Sequence, residues 1–319
     1  MGSGILELGN QNPESRIQYP RMKQIALKID VDTYRGTREG VPRLVEALQR
    51  HHAQATFFFS LGPDHTGRAI KRVFRPGFMK KVSRTSVLEH YGFKTLMYGT
   101  LLPGPDIGKK CGDIMRAVLD AGFEVGIHCY DHIRWQDHVA GKDAAWTERE
   151  VQRAVDRYTE IFGEPPKAHA AAGWQTNRYA LRQTQRLGLD YSSDTRGTHP
   201  FIPTWDAEII ACPQLPTTLP TLDELVGRDG ISLDSVADHL LGLTRTPSAT
   251  GHVYTLHAEL EGQRWMPIFE QLLQGWQGQG YELVSMRQYL QGLDLAALPR
   301  HEVRMGCIEG RSGTLAIQS

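Results

Sequence analysis

From Lys23 onward the chain alternates short apolar runs with helical stripes, and that alternation constrains its fold more than any other feature. Residues 25–29 form a compact apolar strand ending in polar residues. Val41, Leu44, Val45 and Leu48 then fall at helical spacing, and residues 55–59 make a second strand rich in aromatic side chains. Ile114, Val118 and Leu119 mark a helix stopped by Gly122, with a strand at 123–127 behind it. Thr147-Glu148-Arg149-Glu150 reads as a capping box opening a helix whose stripe is Val151, Ala154, Val155, Tyr158, Ile161 and Phe162, stopped by Gly163 and Pro165. Further strands are expected near 167–170, 189–193, 208–212, 252–256 and 281–284. Such repetition demands a parallel sheet with crossover helices, and seven or eight units suggest one α/β barrel spanning 22–319 without an interdomain linker.

The rhythm breaks between residues 66 and 110, after the second strand. Up to position 94 this insertion carries Arg68, Lys71, Arg72, Arg75, Lys80, Lys81, Arg84 and Lys94 against the single acid Glu89, interleaved with Phe74, Phe78, Tyr91 and Phe93. So long a connection between core strands points to function. Over the whole chain 36 basic residues balance 36 acidic ones, which argues against wholesale nucleic-acid binding. Four cysteines without paired spacing argue for a reducing compartment rather than a disulfide framework. No apolar run approaches the roughly twenty residues of a membrane span. Residues 1–21, rich in Gly, Asn, Gln, Pro and Ser, have no apolar core of a signal peptide and read as a tag remnant or disordered extension, with Met22 a natural start. No feature marks an obligate protein partner.

Three placements carry chemistry. Asp30 and Asp32 end the first strand on one face, a pair suited to one metal ligand and one proton acceptor; the plainer reading has Asp32 capping the turn at Thr33. His128 and His132 follow the strand at 123–127, and on one helical turn would lie about 6 Å apart, close enough to share an ion; alternatively they are two surface histidines. His257 ends the strand at 252–256, where a lone histidine is commonly structural. In a parallel barrel all three sit at the carboxyl ends of strands, the face on which barrels do chemistry, and convergence favours one metal site.

These runs resemble the polysaccharide deacetylase (NodB-homology) family of metal-dependent carbohydrate esterases. Ile29-Asp30-Val31-Asp32 matches its first motif, His128 to His132 its His-x-x-x-His motif, and Tyr254-Thr255-Leu256-His257 its late Leu-x-x-His motif. The resemblance implies a distorted (β/α) barrel and one divalent ion (zinc, cobalt, manganese or iron) on Asp32, His128 and His132, with Asp30 as general base and His257 as general acid. One motif departs. Where the family has Arg-x-Pro-x-Gly, with the Arg orienting the base, this chain has His169-Ala170-Ala171-Ala172-Gly173, and only the Gly survives.

Within the family the runs Asp32-Thr33-Tyr34-Arg35-Gly36-Thr37-Arg38-Glu39-Gly40, Ala172-Gly173-Trp174, Asp194-Thr195-Arg196-Gly197 and Leu256-His257-Ala258-Glu259 are similar to the bacterial 4-deoxy-4-formamido-L-arabinose-phosphoundecaprenol deformylases. That likeness implies release of formate from a lipid-linked amino sugar phosphate, in the 4-amino-arabinose modification of lipid A that underlies polymyxin resistance. It implies a peripheral position on the cytoplasmic face of the inner membrane, with the basic insertion meeting the anionic surface or serving as a lid. Arg196 is a candidate for the substrate phosphate or a partner of Asp194, Trp174 a candidate for sugar stacking or rim packing, and Glu259 and Tyr34 further candidate contacts. The competing readings are a deacetylase of another N-acylated sugar or polysaccharide and an inactive lipid-phosphate binding protein.

Overall fold

The computed structural model describes residues 23–69 and 94–319; the extension at 1–21 and residues 70–93 of the basic insertion lie outside the described residues. Its strands are β1 (Gln24–Val31), β2 (Thr56–Ser60), β3 (Glu124–Cys129), β4 (Ala168–His169), β5 (Tyr191–Ser192), β6 (Ile202–Trp205), β7 (Glu208–Ile209), β8 (His252–His257), β9 (Glu282–Val284), β10 (Arg300–Gly306) and β11 (Leu315–Gln318). The helices are α1 (Val41–Arg50), α2 (Ile107–Asp120), α3 (His132–His138), α4 (Ala144–Phe162), α5 (Arg178–Arg186), α6 (Leu222–Leu225), α7 (Val236–Leu243), α8 (Met266–Gly278) and α9 (Met286–Gln291).

Seven strands form one parallel sheet in the order β5-β4-β3-β2-β1-β8, with β9 also paired to β1. The gap between its ends is bridged by irregular chain. Leu215 donates to the Ser192 carbonyl at 2.8 Å, and the amides of Thr218 and Leu219 reach the Val253 carbonyl at 3.0 and 3.2 Å. Pro213, Pro216 and Pro220 remove the donors a regular ladder would need, so this segment closes a distorted barrel without becoming a strand.

The period of two on β1 sorts its residues. Ile25, Leu27, Ile29 and Val31 pack into the large apolar cluster with α1, α2, α4 and α8. The alternate set begins at Ala26, which packs with Phe58 and Val253 inside the barrel, and continues through Lys28, Asp30 and Asp32. The interior carries polar groups along its length: Thr56 and the Tyr191 hydroxyl bond to Glu124 at the amino ends of the strands, Thr217 bonds to Thr255 farther along, and Lys28, Asp30 and Asp32 lead to the mouth.

Three sequence expectations need correction. The segment near 208–212 forms β7, which belongs to a second sheet, β11-β10-β6-β7, rather than to the barrel. The helix expected at the Thr147 capping box starts a turn earlier, capped by Asp143 on the Trp146 amide at 2.9 Å; Thr147 bonds inward to the Asp143 carbonyl and Glu150 is buried. Nor do His128 and His132 share a helical turn: His128 lies in β3 and His132 opens α3. The direction change at Tyr130 and the Asp131 cap still bring their ring centroids to 5.3 Å.

Candidate active site and metal centre

β1 and β8 are paired in register, Asp30 opposite His257, and β3 delivers His128 to the same end. Asp131 caps α3 through the Arg134 amide and also meets His65 Nδ1 at 2.6 Å, fixing the start of the helix that carries His132. The result is a tight cluster. His128 Nε2 lies 3.2 Å from Asp32 Oδ1, and His132 Nε2 lies 3.4 Å from Asp32 Oδ2. One ligand atom from each of the three lies within 4.8 Å of the others.

This donor set fits a divalent ion. Two imidazole nitrogens and one carboxylate are the ligands of borderline metals and leave positions for water and substrate. Asp32 Oδ1 is buried without a hydrogen bond, as are Asp30 Oδ1, His128 Nδ1 and His257 Nδ1. Burying such groups unpaired is costly, and a cation among them removes much of the penalty. Burial pushes the Asp32 carboxyl up, but His132 and His128 outweigh it and hold it well below the usual range. Burial pushes His128 down, and Asp30 and Asp32 more than reverse that.

Around the cluster the buried charges form a chain. Lys28 Nζ lies 3.5 Å from Asp30 Oδ2, donates to the Ser193 carbonyl at 3.1 Å and stands 5.2 Å over the Trp174 ring. Burial lowers its pKa, opposed by Asp30 and Asp194. Asp194 accepts from His169 Nδ1 at 2.7 Å, from the Ala171 amide and from Gln214. Sequence reading missed Lys28, although the alternation that pairs Asp30 with Asp32 places Lys28 two residues earlier on the same face. It missed Glu261 too, which is fully buried, accepts from the His257 amide at 2.9 Å and is pushed up to about 7 by burial.

The expected substrate contacts fare differently. Glu259 does not face solvent. It is buried and accepts from the Asp32 amide at 3.0 Å and from the Thr33 amide and hydroxyl at 2.8 Å, clamping the turn after β1. Trp174 is 2% exposed, with Lys28, Arg196 and Arg311 around its ring, so no face is presented to a sugar. Gly173 before it has φ of +61°, and a Cβ there would lie 2.3 Å from Gln136. Arg196 pairs with Glu224 rather than Asp194 and donates to the carbonyls of Thr217 and Leu219, which uses its guanidinium for structure. It lines a cavity of about 510 Å³ with Thr218, Glu224, Arg228 and His239. Tyr34 stays half-buried beside Arg38, its amide held by Asp64 at 2.9 Å.

With this geometry established, sequence comparison decides the family. Residues 18–192, over half of the chain, match the polysaccharide deacetylase family model. The chain belongs to the polysaccharide deacetylase family. It is 40% identical over 296 residues, 93% of this chain and 95% of the relative, to a protein of Shewanella sediminis named probable 4-deoxy-4-formamido-L-arabinose-phosphoundecaprenol deformylase ArnD. A protein of the same name from Wigglesworthia glossinidia brevipalpis is 31% identical, with coverage of 89% and 98%. Among solved structures, a putative polysaccharide deacetylase from Mycobacterium smegmatis superposes with a TM-score of 0.60 at 16% identity, covering 91% of this chain and 98% of that one, a likeness of fold alone.

Proposed function

We propose that this chain is a metal-dependent amide hydrolase that removes formate from 4-deoxy-4-formamido-L-arabinose carried on undecaprenyl phosphate, with the 4-amino-arabinose modification of lipid A and polymyxin resistance as its setting. The observation that carries the reading is the meeting of Asp32, His128 and His132 beside Asp30 and His257, in a chain 40% identical to a relative named for that reaction.

In this reading Asp32, His128 and His132 hold the ion, which supplies Lewis acidity toward the formamide carbonyl. Asp30, with Oδ1 free of hydrogen bonds, takes the proton of the attacking water. His257, on the neighbouring strand at the same level, gives a proton to the departing sugar amine. Protonation is needed because an amide anion is too basic to leave. Glu261 fixes the His257 backbone and Glu259 the Asp32 turn, so both reacting groups sit on braced strand ends.

The test is formate release from a short-chain 4-formamido-arabinosyl phosphate, with metal analysis and re-addition of zinc, cobalt, manganese or iron after chelation. Formate released only by loaded protein supports the proposal. Acetate from an N-acetyl sugar instead would make the chain a deacetylase, and tight binding without turnover a lipid-phosphate binding protein.

A lipid-linked substrate resists leaving the bilayer, at about 0.8 kcal/mol per exposed methylene. No helix among the described residues is long and apolar enough to cross a membrane. The basic, aromatic run of the 66–110 insertion is therefore proposed to dock peripherally at the cytoplasmic face, each Lys or Arg contributing on the order of 1 kcal/mol at an anionic surface. Changing Lys71, Arg72, Lys80, Lys81 and Arg84 to Gln should abolish sedimentation with anionic vesicles and spare turnover of a soluble analogue. Unchanged sedimentation would leave the insertion as a lid.

A further inference from the structure

Lys28 is a lysine in a position that ordinarily rejects one. It is fully buried on an interior strand, where an unpaired ammonium would be several kcal/mol too costly to keep. Its neighbours explain its presence: Asp30 Oδ2 at 3.5 Å, the Ser193 carbonyl at 3.1 Å, the Trp174 ring at 5.2 Å and Asp194 behind. These come from three different parts of the barrel: β1 itself, the end of β5 and the turn after β4. One of the Asp30 oxygens is thus engaged by Lys28 while the other, 3.8 Å from His128 Nδ1, makes no hydrogen bond and points toward the metal ligands.

The position where an Arg would orient the base holds His169 instead. His169 does not reach Asp30; its Nδ1 is committed to Asp194 at 2.7 Å. The carboxylate that could have neutralised Lys28 alone is itself pinned by His169, Gln214 and the Ala171 amide, which leaves the ammonium available to Asp30. The charge order along this line is Asp30, Lys28, Asp194, His169.

We propose that Lys28 is the positioning residue for Asp30, its ammonium anchoring one carboxylate oxygen to the β5 end so that the other is presented to the reacting water. The inference deepens the hydrolase reading and rests on it. It acts through Asp30 and requires no contact between Lys28 and substrate.

The experiment compares wild type, Lys28→Met and Lys28→Arg in metal-loaded protein, with three readouts: kcat and KM for release of formate, bound metal per chain, and the Asp30 side-chain position in a crystal structure of each variant. Misplacing a reacting group by about 1 Å costs on the order of 100-fold. Lys28→Met should therefore lower kcat about 100-fold with KM and metal content near wild type, and its Asp30 carboxylate should swing away from His128. Lys28→Arg, which keeps a donor to Asp30, should recover at least a tenfold part of the loss. Retained kcat in Lys28→Met, an unmoved Asp30, or loss of metal together with kcat would each overturn the proposal. Should Lys28→Met fail to fold, Lys28→Gln takes its place under the same criteria. If wild type hydrolyses no N-acyl sugar, the hydrolase reading fails on its own, while the Asp30 position in the crystals still decides whether Lys28 holds it.

Discussion

Asp30→Asn separates proton transfer from metal binding and tests both halves of the site at once. The substitution keeps the shape of the side chain and removes its basicity. Asp30 is buried and is absent from the ligand cluster, so metal should remain at one per chain. Losing a positioned general base costs on the order of 10² to 10⁴ in rate, and kcat should fall by that factor. Stability should fall as well. Lys28 sits 3.5 Å from Asp30 with no exposure, and removing one partner of a buried ion pair costs about 3 kcal/mol or somewhat more. For a chain of 319 residues, with about 2.1 cal/mol/K of unfolding entropy per residue, that is roughly a 4–5 °C drop in Tm by calorimetry. His257→Ala should also lose turnover and keep metal, with a smaller change in Tm because its imidazole makes no buried ion pair among those found at the site. Turnover within tenfold of wild type in Asp30→Asn would refute its role as base. Loss of metal in either variant would refute the division between ligands and proton carriers.

His128→Ala should abolish metal binding and activity together, weakening metal by more than the roughly 10–100-fold that losing an outer partner costs, as measured by titration of chelated protein. Gly36→Ala places a Cβ 1.9 Å from Glu259 Oε1, so the clamp on Asp32 and Thr33 must open; we expect a loss of about 3 kcal/mol in denaturant unfolding and weaker metal binding. In metal-free protein the Glu261 carboxyl is raised from 4.5 to about 7, so the folded state binds its proton more tightly than the unfolded chain does. Its contribution is complete below about pH 4.5 and is lost as pH rises to about 7, on the order of 3 kcal/mol; Glu261→Gln should erase that slope relative to wild type, and an unchanged slope would refute the assignment.

The five residues proposed for chemistry were legible because each needed only local information. Alternation on a strand put Asp30 and Asp32 on one face, and the ends of the strands at 123–127 and 252–256 put His128 and His257 at carboxyl ends with His132 four residues behind His128, although the shared helical turn expected for the two histidines does not form. What escaped was what depends on distant partners. Trp174 and Arg196 look like exposed candidates in sequence, yet Arg196 is buried by Glu224 and Thr217, and Arg311 covers Trp174 from more than a hundred residues away. The second sheet escaped for a related reason: in Arg300–Gly306 only Val303 is buried and only Met305, two residues on, packs beside it, an apolar alternation too short to announce β10. Barrel closure by 213–219 was hidden because prolines argue against a strand, and indeed no strand forms there.

The departure at His169 now has a physical reading. An orienting cation would stand at position 169, the last residue of β4, where this chain has His169, followed by a turn of buried Ala170, Ala171 and Ala172 with Gly173 at positive φ. The His169 ring turns to Asp194 and does not reach Asp30. A lysine on β1 needs no such reach, since residues two apart on a strand face the same way and the strand is hydrogen-bonded along both of its edges to β2 and β8. The anchor and the base thus share one rigid element, and the displaced position is left to hold Asp194, the counter-charge that makes a buried lysine tolerable. Motif loss at one position and an unexpected buried lysine at another are then a single feature of the site, and changes at His169 should be felt at Asp30 only through Asp194 and Lys28.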